Sequence, residues 1–184
     1  MRTFLLLASA VLLIGPAQAA SWNVDPAKSK LGFSVLWSKE AFSAAFKKWN
    51  ATIVFDPADL PHAHVNVTVD LASEASDEPD FDSGLKGAEG FQTSHFPAAH
   101  FDTTKITHQS GNTYMATGTL SLRGVTRSIA FPFTLTISGH NAHMIATAHV
   151  IRTDFGVGQG NWASADPVAH DVSVNIDLTA TQAS

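Results

Sequence analysis

Apolar and polar residues alternate along most of the chain, which is the pattern of β-strands that bury one face. The clearest run, residues 65–71, reads V-N-V-T-V-D-L, and similar runs are separated by turn residues such as Gly, Pro, Asn and Asp. The alternation predicts about eight strands, at residues 31–37, 51–55, 65–71, 99–106, 113–122, 128–138, 142–153 and 172–178.

One interval, residues 73–97, interrupts the alternation with acidic residues and glycines. Within it, residues 82–89 predict a short helix, although the glycines lower its helix propensity. Phe91 and Phe96 are expected to anchor this interval against the sheet.

Eight amphipathic strands fit either a sandwich or a closed barrel. Long, sequential strands favour the barrel, because closure removes exposed strand edges. We therefore predict an all-β fold, an eight-stranded barrel with a short helix. Arg123 and Gly124 are predicted to form the turn between two of its strands. A barrel of this size is either filled by side chains or holds one small ligand, and alternation alone does not decide between the two.

The first residues differ from the rest of the chain. Arg2 precedes an apolar run, and the small residues of Ala17-Gln18-Ala19 match a signal-peptidase site. The sequence predicts a signal peptide at residues 1–19 and one exported domain at residues 20–184.

Charge and composition exclude some partners. The chain has 11 Lys and Arg against 16 Asp and Glu, a formal net charge of -5, and no basic stripe. This balance argues against nucleic acid and anionic membrane surfaces as partners. Disulfide and thiolate chemistry are excluded, because the sequence contains no cysteine.

The sequence has nine histidines, and His62-x-His64 and His140-x-x-His143 approach the spacing of metal ligands. Most of them fall in turns or on polar strand faces, so we expect solvated histidines and no metal site. No G-x-S-x-G motif occurs, and we expect no catalytic residue and no enzymatic activity.

Three arginines have competing interpretations. Arg123 and Arg127 either stabilise a hairpin or hold a polar head group at the barrel mouth. Arg152 and Asp154 are expected to form an ion pair on one strand face. The glycine-rich residues 156–160 predict a hairpin loop rather than a phosphate loop, because no helix pattern follows them.

Five stretches, in order along the chain, resemble the YceI-like family of exported bacterial lipid-binding proteins. They are WNVDPAKSKLGFSV (22–35), AAFKKWNATIVFDP (44–57), FDSGLKGAEGFQTSHFPAAHFDTTKI (81–106), GTLSLRGVTRSIAFPF (118–133) and IRTDFGVG (151–158). Three places depart from the family pattern: Trp37, Ala44 and residues 81–85.

The resemblance implies an all-β fold, an eight-stranded antiparallel lipocalin-like barrel with a short helix near one end, in the periplasm. Its apolar interior is expected to bind a long isoprenoid, a polyprenyl quinone or a similar amphiphile. The resemblance implies no cofactor apart from that lipid, and it allows a membrane cytochrome as a partner that would receive a bound quinone. A metal-handling role for the histidines is a further alternative. The oligomeric state stays open, with a homodimer among the options. The candidate ligand-binding residues are Phe33, Val35, Phe46, Trp49, Ile53, Phe55, Val67, Val69, Phe101, Leu120, Phe131, Phe133, Leu135, Val174 and Ile176.

Overall fold

A computed structural model describes residues 20–183 of the protein. The predicted signal peptide, residues 1–19, lies outside the described residues. Within residues 20–183 the chain forms one α-helix, α1 (Pro79–Lys86), and eleven strands. The strands are β1 (Ser21–Val24), β2 (Lys30–Trp37), β3 (Glu40–Phe46), β4 (Trp49–Val54), β5 (His64–Asp70), β6 (Glu74–Ala75), β7 (Ala98–Ser110), β8 (Thr113–Leu122), β9 (Val125–Ser138), β10 (Asn141–Ile151) and β11 (Val168–Gln182).

The eleven strands form a closed antiparallel barrel with eight strand positions, which we call staves. Three staves consist of two shorter strands each. β1 and β2 both pair with β11, so they form one interrupted stave that closes the ring. β3 and β4 form the next stave, since β3 pairs with β2 and β4 pairs with β1. The short β6 continues β5, and the remaining strands follow as a meander. The predicted eight-stranded antiparallel barrel with one short helix is therefore confirmed.

The turn between β8 and β9 has the residues that its geometry needs. Arg123 and Gly124 have φ angles of 51° and 75°, and a two-residue turn with both central residues at positive φ matches the twist of the strands it joins. Glycine adopts such a conformation without steric cost. The predicted Arg123-Gly124 turn is confirmed.

The two ends of the barrel carry different segments, and each end takes its name from the segments that it carries. The helix end carries α1, the β8–β9 turn and the β10–β11 connection, residues 152–167. The terminal end carries the first and last described residues and the turns at residues 111–112 and 139–140. One cluster of buried apolar residues lies toward each end, around Phe81 and Phe155 at the helix end and around Phe55 and Phe133 at the terminal end.

The helix begins earlier than the sequence pattern predicts. It spans Pro79–Lys86 instead of residues 82–89, because Pro79 has the fixed φ that suits a first helical turn. Asp80 and Asp82 add negative charge near the positive end of the helix dipole. The helix ends before the glycine pair Gly87 and Gly90, which agrees with the low helix propensity of glycine.

Strand β10 also ends earlier than predicted, at Ile151 instead of residue 153. A 3₁₀ turn, Arg152–Phe155, follows it directly. The expected ion pair between Arg152 and Asp154 is wrong, because this turn removes both residues from the strand and buries the Arg152 side chain while Asp154 stays exposed. Across residues 20–183, none of the helices has both the length and the apolar character needed to cross a membrane.

Candidate functional site

The interior of the barrel is a cavity that extends along the strands. The cavity has a volume of about 280 Å³. Both Ala142 and Val150 line it, and these residues are roughly 26 Å apart along β10 at ~3.3 Å per residue. Apart from the Gly158 backbone, Thr103 and Arg152, the lining residues are apolar.

Inward-facing residues in the middle of the strands show that the barrel is hollow. Phe101, Leu120 and Val174 point to the interior and line the cavity, yet they are only partly buried. In a filled barrel, central side chains would be covered by their opposite neighbours. The question that the alternation left open is therefore decided in favour of an unfilled interior.

All fifteen candidate ligand-binding residues line this one cavity. Alternation located them correctly, because closure of the sheet turns the same face of each strand inward. The contact of these residues with a ligand stays a prediction.

Sequence reasoning missed a second group of lining residues at the helix end. Apart from Leu71, which ends the alternating run 65–71, these residues lie in the irregular segments, where no period-two pattern exists. They include Leu71, Phe81, Leu85, Phe91, Val157 and Trp162. The signal for these residues was the presence of large apolar side chains within otherwise acidic or glycine-rich segments. Of the six residues, only Phe91 is predicted from the sequence, as an anchor.

An aromatic cluster closes the helix end. The Phe81 ring from α1 lies 3.9 Å from the Phe42 ring and 5.2 Å from the Trp37 ring, measured between centroids. Trp162, from the β10–β11 connection, stacks on Phe81 with an interplanar angle of 11°. Trp37, Ala44 and Phe81, which lie where the chain departs from the YceI-like pattern, are therefore near one another at this end.

Arg152 is the charged residue of the cavity wall. Its side chain is 6% exposed, and its guanidinium donates hydrogen bonds to five backbone carbonyls of the β10–β11 connection and the start of β11. The acceptors are the carbonyls of Val157, Gly158, Ser164, Val168 and Ala169, at 2.8–3.3 Å.

Arg152 acts as a cross-link of the connection that it begins. Within residues 20–183 it forms no ion pair with an acidic residue, and burial lowers its pKa. A Cβ at Gly158 would clash with the guanidinium, so glycine at this position is required by the arginine. The predicted hairpin loop at residues 156–160 is thus held from inside by Arg152.

Glu74 is a second buried charge at the helix end, behind the cavity wall. It is 1% exposed, and neither carboxyl oxygen has a hydrogen-bond partner. The Lys86 ammonium lies 3.7 Å from its carboxyl. Burial first, and then the charge of Asp82, raise the pKa of Glu74 to about 7, while Lys86 acts in the opposite direction.

Asp82 has the opposite shift. Burial acts to raise its pKa, but hydrogen bonds from the Ser76 hydroxyl and amide more than offset this effect. The pKa of Asp82 is therefore lowered. Two neighbouring carboxyl groups at this end thus prefer different protonation states near neutral pH.

The terminal end is closed by packed aromatic side chains. Tyr114 stacks on Phe133 at 5.4 Å, and Phe55 meets Tyr114 edge-on at 5.5 Å. The indole N–H of Trp22 donates to the Phe55 carbonyl at 2.9 Å. At the rim, Ile137 both lines the cavity and is 36% exposed.

Four of the nine histidines each contact a single carboxylate on the outer surface. His62 contacts Asp59 at 2.7 Å, and His143 contacts Asp177 at 2.8 Å. The part of the chain that the structure describes has no group of three or more His, Asp or Glu placed to hold a metal ion.

Arg123 and Arg127 have different surroundings. The Arg123 guanidinium donates to the carbonyls of Gly156 and Ala88, so it joins the β10–β11 connection to the loop after α1. Arg127 is exposed and donates to the Thr126 carbonyl. Arg123 therefore links the β8–β9 turn to two neighbouring loops, whereas the contact of Arg127 decides between neither of its two interpretations.

Solved structures with this fold include two with informative likeness. Burkholderia cenocepacia BcnA has 29% sequence identity and a TM-score of 0.83, and the match covers 86% of this chain and 100% of that one. A polyisoprenoid binding domain from Saccharophagus degradans, described as implicated in plant cell wall breakdown, has 16% identity and a TM-score of 0.67. That match covers 90% of this chain and 99% of that domain.

Sequence relatives give the same assignment. A UPF0312 protein of Photorhabdus laumondii is 30% identical over 139 residues, which are 70% of this chain and 69% of that protein. A UPF0312 protein of Pseudomonas putida strain W619 is 27% identical over 190 residues, covering 94% of this chain and 95% of that protein. The model of the YceI-like domain matches residues 22–180, and the chain belongs to the YceI-like family.

Proposed function

We propose that the protein is a non-enzymatic, periplasmic binding or carrier protein that holds a long-chain isoprenoid, a polyprenyl quinone or a similar amphiphile in the barrel. The observation that carries this proposal is the apolar cavity that extends from the terminal end to the helix end. The Saccharophagus degradans structural neighbour is a polyisoprenoid binding domain, and this supports a polyisoprenoid as the ligand class.

The energetics of the cavity favour a long apolar tail. Each methylene group that leaves water for an apolar site contributes about 0.8 kcal/mol. An apolar cavity offers water too few hydrogen-bond partners, so little bound water has to be displaced. Val67, Phe101 and Ile176, which are only partly buried, would become covered by such a tail.

A pair of tryptophan substitutions tests whether the cavity is the binding site. Val174→Trp places a large ring in the cavity, whereas Ser173→Trp places the same ring on the outer face of β11. In a filled core the Val174→Trp change would cost about 1–3 kcal/mol or more. In the hollow barrel we expect little loss of stability but loss of the bound lipid. Ser173→Trp should keep the lipid.

Native mass spectrometry of protein purified from its own host identifies the ligand. We expect an added mass of several hundred daltons that organic extraction releases. A quinone absorbs in the ultraviolet and a saturated chain does not, so the absorbance of the extract separates the two. A quinone would favour the alternative role of presenting it to a membrane cytochrome. A homogeneous lipid-free protein would contradict the carrier proposal.

Export is tested separately from binding. If residues 1–19 are a signal peptide, the protein recovered from the periplasm should begin at Ala20. Recovery of the full chain from the cytoplasm would contradict the periplasmic location and would leave the cavity proposal unaffected.

A further inference from the structure

The wall of the barrel is incomplete between β9 and β10. The two strands pair from Ser138↔Asn141 to Phe133↔Ala146, and their ladder ends there. Beyond this point β9 continues to pair with β8 as far as Leu122↔Val125, and β10 continues to pair with β11 as far as Ile151↔Asp171. Residues 125–132 of β9 and 147–151 of β10 therefore face each other without strand pairing. We call this region the seam.

Pro132 gives the seam a physical cause. In the register of the ladder, the next pair after Phe133↔Ala146 would be Pro132 and Thr147. Proline has no N–H to donate, and it is confined to strand edges, first positions and irregular places in sheets. The β9–β10 ladder thus ends at the position where Pro132 would be the next residue of β9 to pair with β10.

A groove of about 250 Å³ lies over the seam on the outer surface. Ile129 of β9 and Val150 of β10 line both this groove and the internal cavity. These two residues are thus the barrier between the groove and the cavity. The buried ring of Phe155, from the turn after β10, completes the floor of the groove.

The rim of the groove is polar. Arg127, His149 and Asp154 border it, and all three are exposed. His149 lies 3.2 Å from Asp171 of β11, while Arg127 makes no ion pair with an acidic residue among residues 20–183. A hydrogen-bond acceptor on a ligand head group can therefore reach the Arg127 guanidinium.

Backbone hydrogen bonds make the rest of the wall harder to cross. Separating two paired strands leaves several backbone N–H and C=O groups without partners beside the apolar interior. Each unpaired group costs free energy. At the seam no ladder has to break. Rotation of the Ile129 and Val150 side chains and a small separation of the two unpaired strands would connect groove and cavity.

We propose that the seam is the lateral portal of the cavity. The tail of an amphiphile passes between Ile129 and Val150, and its acceptor-bearing polar head stays in the groove beside Arg127. This inference rests on the proposed function, because it assigns the route and the head-group position of the same lipid.

Two other routes compete with the seam. At the helix end, α1 and the stacked rings of Phe81 and Trp162 cover the opening. At the terminal end, Ile137 is the exposed wall residue and marks the most direct alternative. The experiments below therefore compare the seam with a paired part of the wall and with the terminal end.

The first experiment measures access to the cavity without any ligand. Ala148 and Ala116 both face the cavity, are 3% and 4% exposed, and occupy equivalent levels on either side of Phe131. Ala148 is at the seam, whereas Ala116 lies across the intact β8–β9 ladder. Because the chain has no cysteine, Ala148→Cys and Ala116→Cys each introduce a single thiol.

We expect N-benzylmaleimide to label lipid-stripped Ala148→Cys about tenfold faster than Ala116→Cys, with each rate normalised to that of the unfolded variant. Access through the terminal end would label the two variants at similar rates. Equal rates would therefore overturn the portal.

The second experiment locks the seam and follows a lipid probe. Ala130→Cys and His149→Cys are joined by a short bismaleimide across the seam. In the control, His149→Cys is joined to Ser173→Cys, which is its paired neighbour on β11. The seam bridge should slow the release of cis-parinaric acid by about tenfold, and the control bridge should not.

The remaining outcomes distinguish this inference from the proposed function. If both bridges leave the release rate unchanged and Ile137→Trp slows it, the terminal end is the route and the portal is wrong. If the wild-type protein binds no cis-parinaric acid and carries no host lipid, the proposed function fails. In that case the labelling rates still decide whether the seam opens.

Discussion

The two ends of the barrel are closed by different physical means. The terminal end is closed by Tyr114 and Phe133, on β8 and β9, and by Phe55, which directly follows β4. The helix end is closed by α1 and the β10–β11 connection, and the hydrogen bonds of the buried Arg152 hold this connection in place. The buried carboxyl group of Glu74 lies at the same end. Hydrogen-bonded strands with apolar inward-facing side chains are enough to close the terminal end. The helix end needs specific polar partners, so it is the end at which single substitutions can change conformation and pH response.

The largest effect is expected from a charge placed in the terminal-end cluster. Phe133→Asp introduces an unpaired carboxylate where Phe55 and Tyr114 surround the ring, and we expect a loss of about 4 kcal/mol or more, which unfolds many domains. Urea denaturation measures it. The control is Thr134→Asp, the next residue and exposed on the outer face. Equal midpoints for the two variants would show that the terminal end is not a dry apolar cluster.

The next largest effect is expected at the helix end. Arg152→Met removes the donors of five carbonyls, and the unpaired carbonyls should cost about 3 kcal/mol. Arg152→Lys should not restore this stability, because an ammonium group cannot reproduce the planar fork of guanidinium donors. Hydrogen exchange should report faster opening of residues 152–168, with the terminal end unchanged.

The exposed Arg127 provides the control for this comparison. Arg127→Met should change the free energy of unfolding by less than about 0.5 kcal/mol. A similar loss for Arg127→Met and Arg152→Met would mean that the buried hydrogen bonds do not hold the helix end together.

A pH-dependent effect is expected from Glu74. Its folded-state pKa of about 7 lies above the ordinary glutamate pKa of 4.5, so the folded state binds the proton more tightly. The stability linked to this proton is fully present below pH 4.5 and is lost as the pH rises through 7.

Glu74→Gln should remove this loss. Relative to the variant, the wild type should lose about 1–3 kcal/mol of unfolding free energy between pH 5 and pH 8. Glu78→Gln, an exposed change in the same segment, is the control. Asp82, whose pKa is lowered, affects stability only in the acid range below this window. Parallel pH profiles for wild type and Glu74→Gln would contradict the assignment.

The smallest effect is expected from two surface histidines. Replacing His62 and His64 together by Ala removes two exposed contacts, to Asp59 and Asp102, that are worth at most about 0.5 kcal/mol each. Native mass spectrometry should find the same bound lipid in this variant as in the wild type. Loss of the lipid, or stoichiometric zinc in the wild type that survives dialysis, would favour the metal-handling alternative.

Local pattern predicted β2, β4, β5 and β7 to β11 and their inward faces, but it missed β1, β3 and β6. Phe101, Leu120 and Val174 were assigned to the wall because alternate residues of a strand share a face. Alternation carries no information on irregular segments, so the contribution of Phe81 and Trp162 to the wall was missed. Arg152 was misassigned for a related reason, since an arginine two residues from an aspartate resembles a strand ion pair until the strand ends.

The seam was also out of reach of alternation. Pro132 lies in a run that otherwise alternates well, and strand β9 forms in spite of it. A proline in a strand indicates an edge or an irregular place, but it does not identify which neighbour is lost. Only the register shows that β9 keeps β8 as its partner and parts from β10.

The sequence by itself determined that this protein is a barrel of eight staves and which residues turn inward. These properties depend on the alternation of neighbours along each strand, and that information is local. Only the tertiary structure decided that the interior is hollow, that Arg152 and Glu74 are buried at the helix end, and that the wall parts at Pro132. Whether inward side chains meet or leave space depends on the distances between strands that are far apart in the chain, and those distances follow from barrel closure.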